Sequence, residues 1–269
     1  DWMLRAWERR LASPLRDEAA DLARDPQLTL PREALSRRLR VAVHGDPEQL
    51  ADWVSAVRDG YTAAEELEPY HALVEAILAD DRLGGVARPE LHAEFGLRAF
   101  EDEDRHHEAC AALVAACHGG VVTPLVVESL AALASEADNA QDIADALEST
   151  LRTTGGEDNA PRIHRVLGAV YRDQLGQPND AARHYEAAVF LDDSAADALE
   201  ALEVLYREMG AHEELAAIIL RISESLPKKK RAARLLEVAA LQAEQLENIE
   251  LAIQLAQEAK EAGAKGAED

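Results

Sequence analysis

Residues 161 to 195 read PRIHRVLGAVYRDQLGQPNDAARHYEAAVFLDDSA, and this stretch decides the fold. Leu167, Gly168 and Tyr171 share one face of a predicted first helix, because residues three or four apart meet on a helix surface. After a break at Gly176, a second helix repeats the spacing at Ala181, Tyr185 and Ala188. Small residues allow close approach and large ones fill the remaining space, so the stretch predicts two helices packed against each other.

The same pattern returns further along the chain. A second copy follows 34 or 35 residues later, at Leu202, Tyr206, Gly210, Leu215, Ile219 and Ile222, and ends at Pro227. A weaker third copy follows the first by 71 residues, at Val238, Leu246, Ala252, Ala256 and Ala259. In it, Gln242 and Glu247 stand where the pattern has tyrosine and glycine. One helix pair cannot bury its own apolar face, so successive pairs are expected to stack.

Two further units precede the quoted stretch by register alone. Ile143, Leu147 and Thr150 lie 38 residues before the second-helix positions, and Ala109, Leu113 and Ala116 lie another 34 before those. Phe100 precedes Ala109 by nine residues, as Tyr206 precedes Leu215. Five units are therefore predicted between Pro89 and Ala262.

These repeats resemble the tetratricopeptide repeat family, whose signature is Leu-Gly-x-x-Tyr, then Gly, then Ala-x-x-x-Tyr/Phe-x-x-Ala. The resemblance is clearest over residues 161–227 and weaker over 89–160 and 228–262, and Asp193 replaces the proline expected after the first complete unit. It implies an all-α, right-handed superhelical solenoid of antiparallel helix pairs, with the first helices lining the inner surface. It also implies a protein-binding role.

Composition agrees with an all-α chain, because only 4% of the residues are aromatic and the β-favouring types are not enriched. We expect a diverged helical region over 1–88, the repeat array over 89–262 and a flexible tail over 263–269. The alternative is a separate N-terminal module ending near Gly84 to Arg88. Helices are predicted over Trp2–Ala12, Pro14–Arg24, Pro31–Val43, Pro47–Arg58 and Glu65–Ala79. Trp2, Trp7 and Trp53 are interpreted as a buried end cap or as anchors for a partner.

The net charge of −24 makes nucleic acid and anionic membrane surfaces poor partners. No run of residues is apolar enough to span a membrane, so direct membrane insertion is not expected. The start, Asp1-Trp2-Met3, has neither an initiator methionine nor a signal peptide, which suggests a processed or excised chain. Cys110 and Cys117 lie too far apart on one helix for a disulfide. We expect a cytoplasmic protein.

Four arginines are the predicted partner-binding residues. The family's ligand-facing positions in the first helices correspond to five residues in each of two units, namely Arg162, Arg165, Ala169, Arg172 and Asp173, and then Asp197, Glu200, Val204, Arg207 and Glu208. A guanidinium binds a carboxylate through two parallel hydrogen bonds, so an acidic partner is one expectation. The alternative is that these arginines pair with nearby acids such as Asp173, Glu200 and Glu208. The family's clamp for chaperone tails is absent, because Ala169 replaces its asparagine.

The basic run Lys228, Lys229, Lys230 and Arg231 is a possible second patch, because a helix start disfavours positive charge. A solvated helix start is the alternative. His106, His107, Cys110, Cys117 and His118 could suggest a metal, but their spacing on one helix cannot complete a tetrahedral site. We therefore expect no metal, no cofactor and no catalytic site.

The leading interpretation is a scaffold or adaptor that holds a partner protein or peptide within a larger assembly. One alternative is a structural subunit that uses its end or its convex face. Another is a helical-repeat enzyme or small-molecule sensor using residues such as His71, His106 and Glu94. The last apolar helix pair stays uncovered unless the parent chain continues or a partner docks there.

Overall fold

A computed structural model describes residues 71, 72, 74, 75, 78, 89–135, 139–154, 159–192 and 194–265 of the chain. Between Pro89 and Lys265 lie ten α-helices and one short 3-10 helix, Glu103–Arg105. The α-helices are α1 (Pro89–Ala99), α2 (His106–His118), α3 (Pro124–Leu133), α4 (Ala140–Thr154), α5 (Ala160–Asp173), α6 (Pro178–Leu191), α7 (Ala196–Met209), α8 (His212–Glu224), α9 (Lys228–Glu244) and α10 (Ile249–Lys265). The described residues contain no strand, and the predicted all-α class is confirmed for them.

The N-terminal predictions fall mostly on residues that the structure leaves undescribed. Trp2, Trp7 and Trp53 and the first four predicted helices lie outside the described residues. Within the predicted helix Glu65–Ala79, the described residues are helical, namely His71, Ala72, Val74, Glu75 and Leu78.

Contacts along the chain divide it into two compact units, residues 1–156 and 157–269. This division falls inside the predicted array, and the predicted seam from Gly84 to Arg88 lies outside the described residues. The predicted domain boundaries stay predictions. Each unit is described by itself below.

In the described part of the first unit, α1 packs against α2, and α4 also packs against α2. The close approach of α1 and α2 depends on Gly96, where an added methyl carbon would lie 2.7 Å from Cδ2 of Leu113. The buried face of α2 consists of Ala109, Cys110, Ala112, Leu113, Ala116 and Cys117. Thr123 begins α3 by accepting a hydrogen bond from the Val126 amide at 3.3 Å.

In the second unit, each helix packs against the next one along the chain, from α5 through α10. The connections are only a few residues long, so consecutive helices are antiparallel. Their shared core contains Ile163, Leu167, Ala188, Leu202, Ile219, Leu235 and Val238, all at most 1% exposed. The hydroxyl of Tyr206 in α7 donates a hydrogen bond to Glu186 in α6, which links one pair to the next. This is the stacking that the repeats predict.

A close helix contact in this unit is between Gly168 and Tyr185. A methyl carbon added at Gly168 would lie 2.8 Å from two ring carbons of Tyr185. Because such a distance is well inside van der Waals contact, the side chain of residue 168 must be a hydrogen atom. The same arrangement, with the same spacing of 17 residues, joins Gly96 to Leu113.

The turns between the helices of each pair need a left-handed residue. Gly176 and Gly210 adopt φ angles of 63° and 67°, and Glu247 adopts 53° at the corresponding position of the last pair. The turns at Gly176 and Glu247 also share one hydrogen bond, from the Gln177 amide to the Tyr171 carbonyl and from the Asn248 amide to the Gln242 carbonyl. The last turn therefore keeps the geometry although a glutamate replaces the glycine.

The end of the array extends further than the sequence predicts. Helix α10 continues to Lys265, so residues 263–265 of the predicted tail are helical. Alanine and lysine are strong helix formers, and they outweigh the single Gly263. Residues 266–269 lie outside the described residues.

We expect Gly168→Ala to lower the free energy of unfolding by about 1–2 kcal/mol, because overpacking costs more than the helix propensity gained. The measurement is urea unfolding followed by circular dichroism. In a Tyr185→Leu background the same change should be neutral or stabilising. An equal cost in both backgrounds would contradict the contact.

Replacing Glu247 with glycine should raise the free energy of unfolding by about 0.5–1 kcal/mol, since the left-handed conformation costs a residue with a Cβ atom about 1–2 kcal/mol and glycine almost nothing. Thermal unfolding checks this. The matched control is Gly210→Ala, which should destabilise by a similar amount. Loss of stability in Glu247→Gly would show that the glutamate side chain has another role.

Candidate functional site

The predicted arginines lie on α5 and α7, two of the three first helices of the second unit. We call the surface formed by these helices and α9 the first-helix face, and define it by Arg165, Val204, Arg207, Arg234 and Leu236. Arg162 lies in the first turns of α5 and is partly exposed. The structure shows what the other three predicted arginines contact.

Two arginines of α5 form ion pairs. One pairs with a residue of the next first helix, and the other pairs with its neighbour in sequence. Arg165 forms an ion pair with Asp197 of α7 at 3.3 Å. Arg172 forms two hydrogen bonds to Asp173, at 2.7 and 2.9 Å, and its guanidinium lies 5.8 Å from the ring centre of Tyr185. The Arg172 hydrogen bond is the main reason that the pKa of Asp173 is lowered.

A four-membered ion-pair network joins α7 to α9. Arg207 contacts Glu203 at 2.7 Å on its own helix and Glu237 of α9 at 2.9 Å. Arg234 contacts Glu237 at 2.6 Å and also Glu203. Burial acts to raise the pKa of Glu203, but the hydrogen bonds from Arg207 and Arg234 outweigh it and the pKa is lowered. Alternating charges therefore connect neighbouring repeats.

This pairing changes how the arginines can act. A partner's carboxylate would have to displace Asp197, Asp173 or Glu237 to reach Arg165, Arg172 or Arg207. Since partly exposed ion pairs are worth at most about 1 kcal/mol each, such an exchange gains little free energy. The use of Arg162, Arg165, Arg172 and Arg207 as a partner-binding groove stays a prediction, and their observed pairing is of the kind that the alternative interpretation expects.

Apolar side chains also lie exposed on this face. Val204 of α7 is 46% exposed and Leu236 of α9 is 53% exposed. Val204 is three residues from Arg207, so these two side chains lie on the same side of α7. The sequence reasoning missed Leu236 because it looked for charge. The repeat register could have identified Leu236, since it occupies the position of Arg165 and Glu200 in the preceding units.

The basic run lies in the first turn of α9, as predicted from the sequence. Arg231 forms an ion pair with Glu258 of α10 at 2.8 Å, and Lys229 lines a groove between α9 and α10 together with Lys260. Lys228 and Lys230 begin the same helix. Their role as a second binding patch stays a prediction.

The cysteines and histidines of α2 do not converge. Cys110 and Cys117 are buried and are not joined in a disulfide, and burial raises the pKa of Cys117 to about 12. His106 stacks on Phe100, with 5.5 Å between the ring centres. Among the described residues, no group of three or more histidines, cysteines or acids could hold a metal ion.

A histidine pair lies between α5 and α6, and the sequence reasoning did not identify it. Nδ1 of His164 is 3.0 Å from Nδ1 of His184, and Tyr171 stacks on His184 at 5.4 Å. Arg183 lies 3.3 Å from Nε2 of His184. Because arginine can only donate, that nitrogen accepts, so neutral His184 carries its proton on Nδ1 and donates to His164. Burial, then His184 and Arg183, lower the pKa of His164 to about 4.

The pair predicts a loss of stability in mild acid. His164 is neutral in the fold but has an ordinary pKa of about 6.5 when unfolded, so its contribution is complete above that pH and falls as the pH drops toward 4. We expect the urea midpoint to decrease between pH 7.5 and 5, and His164→Asn to reduce that decrease. The exposed His118 provides the control variant His118→Asn, which should keep the wild-type slope. Equal slopes in both variants would contradict the assignment.

Comparisons with known proteins give matches in structure and none in sequence. No protein-family model matches the chain, and no curated protein matches it. Among solved structures 21 chains match. One is the crystal structure of MamA, which is 17% identical; the match covers 63% of this chain and 95% of that chain, with a TM-score of 0.37.

In the described part of this chain, no helix combines the length and apolar character that crossing a membrane requires. The described residues themselves form an all-α chain of antiparallel helix pairs.

Proposed function

We propose that this protein is an interaction scaffold that holds a segment of a partner protein on the first-helix face. The observation that carries the proposal is the exposure of two apolar side chains, Val204 and Leu236, on helices whose charged side chains are held in ion pairs. A water-exposed apolar side chain becomes more stable when a partner covers it, whereas fixed charges orient that partner.

The two apolar contacts supply part of the binding free energy. Full burial of a valine or leucine contributes about 1.5–3 kcal/mol, and about half of each side chain is already covered. Each therefore contributes about 1 kcal/mol to binding. Since a micromolar affinity corresponds to about 8 kcal/mol, most of the binding free energy has to come from the partner's other contacts with this face.

Two alternatives make different demands on the chain. A structural subunit would use an end or the convex face of the array. An enzyme or small-molecule sensor would need a cluster of reactive groups, and the described residues offer no metal-ligating group of three and no cofactor is expected. Two buried cysteines that are not joined in a disulfide are compatible with a reducing compartment.

The test is site-specific photocrosslinking in cells. A photoreactive amino acid at position 204 should capture a defined protein, and the same amino acid at position 190 should not. Phe190 is the matched control because it is 85% exposed and apolar but lies on α6, a second helix. Mass spectrometry identifies the captured protein.

The affinity of that purified protein for variants of the chain then shows whether it binds the first-helix face or α6. Val204→Arg should weaken its affinity at least tenfold, because a charge replaces an apolar contact, while Phe190→Arg should change it less than twofold. Arg207→Glu should reduce the association rate or reverse its salt dependence. Identical capture at positions 204 and 190, or undiminished affinity in Val204→Arg, would remove the first-helix face from the proposal.

A further inference from the structure

The histidine pair between α5 and α6 lies next to the close contact of Gly168 with Tyr185. His164 precedes Gly168 by about one helical turn, and His184 adjoins Tyr185. The two Nδ1 atoms are 3.0 Å apart while the ring centres are 5.2 Å apart, so the nitrogens lie between the rings and face each other. His184 is 3% exposed and stacks on Tyr171, so little space remains for its ring to move. The packing of the two helices therefore sets the distance between the histidines.

The hydrogen bonds of both imidazoles are satisfied together when the two rings are uncharged. His184 then donates from Nδ1 to Nδ1 of His164 and accepts at Nε2 from Arg183, 3.3 Å away. An additional proton on His164 would place two N–H groups opposite each other across the 3.0 Å contact. An additional proton on His184 would place an N–H group opposite the guanidinium of Arg183. In either case a hydrogen bond is replaced by two donors that face each other.

The charged groups around the pair also oppose a positive charge there. Burial, then His184 and Arg183, lower the pKa of His164 to about 4. The carboxylates that adjoin the pair on α6, or that reach α5 from α7, have partners of their own. These contacts are Asp180 with Arg183 at 3.1 Å, Asp197 with Arg165 at 3.3 Å, and Glu186 with the hydroxyl of Tyr206. Protonation of the pair would therefore require one of these groups to change partner or the helices to separate.

Within the second unit, α5 is held by fewer neighbours than the helices that follow it. Each helix from α6 to α9 packs against the helix before it and the helix after it, whereas α5 packs against α6. Its described contact with α7 is the partly exposed ion pair of Arg165 with Asp197, and such pairs contribute little to stability. Segments with few packing contacts open locally while the rest of a protein stays folded. Loss of the contact with α6 would therefore release α5 and leave α6 to α10 packed on one another.

We propose that the contact between His164 and His184 is acid-sensitive, so that protonation of either histidine separates α5 from α6 and removes α5 from the first-helix face. Opening takes Arg165 away from Asp197 and leaves Val204 in place on α7. The proposal rests on the scaffold function only in giving this opening a consequence for a bound partner. The opening itself takes place in the chain alone.

The expected pH dependence follows from the change in proton affinity on opening. His164 has a pKa of about 4 while α5 is packed on α6 and an ordinary pKa of about 6.5 once α5 is released. Its contribution to the closed pair is complete above pH 6.5 and falls as the pH drops toward 4. The equilibrium constant for opening should therefore increase about 25-fold between pH 7.5 and pH 5.

Hydrogen–deuterium exchange of the full chain, followed by mass spectrometry, measures this opening without a partner. Exchange rates at pH 7.5 and pH 5 are divided by the rates of the unfolded chain at the same pH, and the ratio reports how often each segment opens. We expect the protection of α5 to fall about 25-fold between the two pH values. The protection of α9 should change less than about threefold, because its two helix neighbours stay in place.

Variants of the full chain identify the group that takes up the proton. The side chain of His164→Asn has an oxygen that can accept from Nδ1 of His184 but does not titrate, so the protection of α5 should become nearly independent of pH. His164→Gln serves the same purpose if the asparagine variant does not fold. The matched control His118→Asn changes an exposed histidine of α2 and should keep the wild-type dependence. Circular dichroism at pH 7.5 checks that each variant is folded.

Three outcomes overturn the inference. An equal fall of protection in α5 and α9 would mean that acid unfolds the whole unit instead of opening one helix pair. Unchanged protection of α5 would show that acid does not open it. A wild-type pH dependence in folded His164→Asn would assign the proton to another group. Because none of these measurements uses a partner, failure to capture a protein at position 204 would overturn the scaffold function alone.

Discussion

The contact between a small residue on one helix and a large residue on its partner is the constraint on which the described structure depends. At Gly168 and Tyr185 the ring lies where a Cβ atom would otherwise be, and Gly96 with Leu113 repeats the arrangement in the other unit. The close approach buries the remaining apolar side chains of each pair. Because neither helix is stable alone at this length, this packing is what maintains them.

The stacking of pairs then determines which surfaces remain for partners. In the second unit, first helices lie next to one another across the repeats, and their charged side chains pair with each other, as Arg207 does with Glu237. Charge on this face therefore serves mainly to join neighbouring repeats. The exposed apolar groups, Val204 and Leu236, are what a partner can cover with a gain in free energy.

The sequence by itself determined the helix pairs, since the spacing of small and large residues is local and each pair's contact joins residues only 17 apart, as in Gly168 and Tyr185. It also identified Glu247 as the residue at a glycine position. Only the tertiary structure decided the distant partners of the arginines, Asp197 and Glu237, and the histidine pair. Arg207 had several acids within reach along the sequence, and the choice of Glu237, 30 residues away, depends on how α7 and α9 lie side by side. The partner of a long, flexible side chain depends on how neighbouring helices are placed, and the spacing of residues along the sequence does not specify that placement.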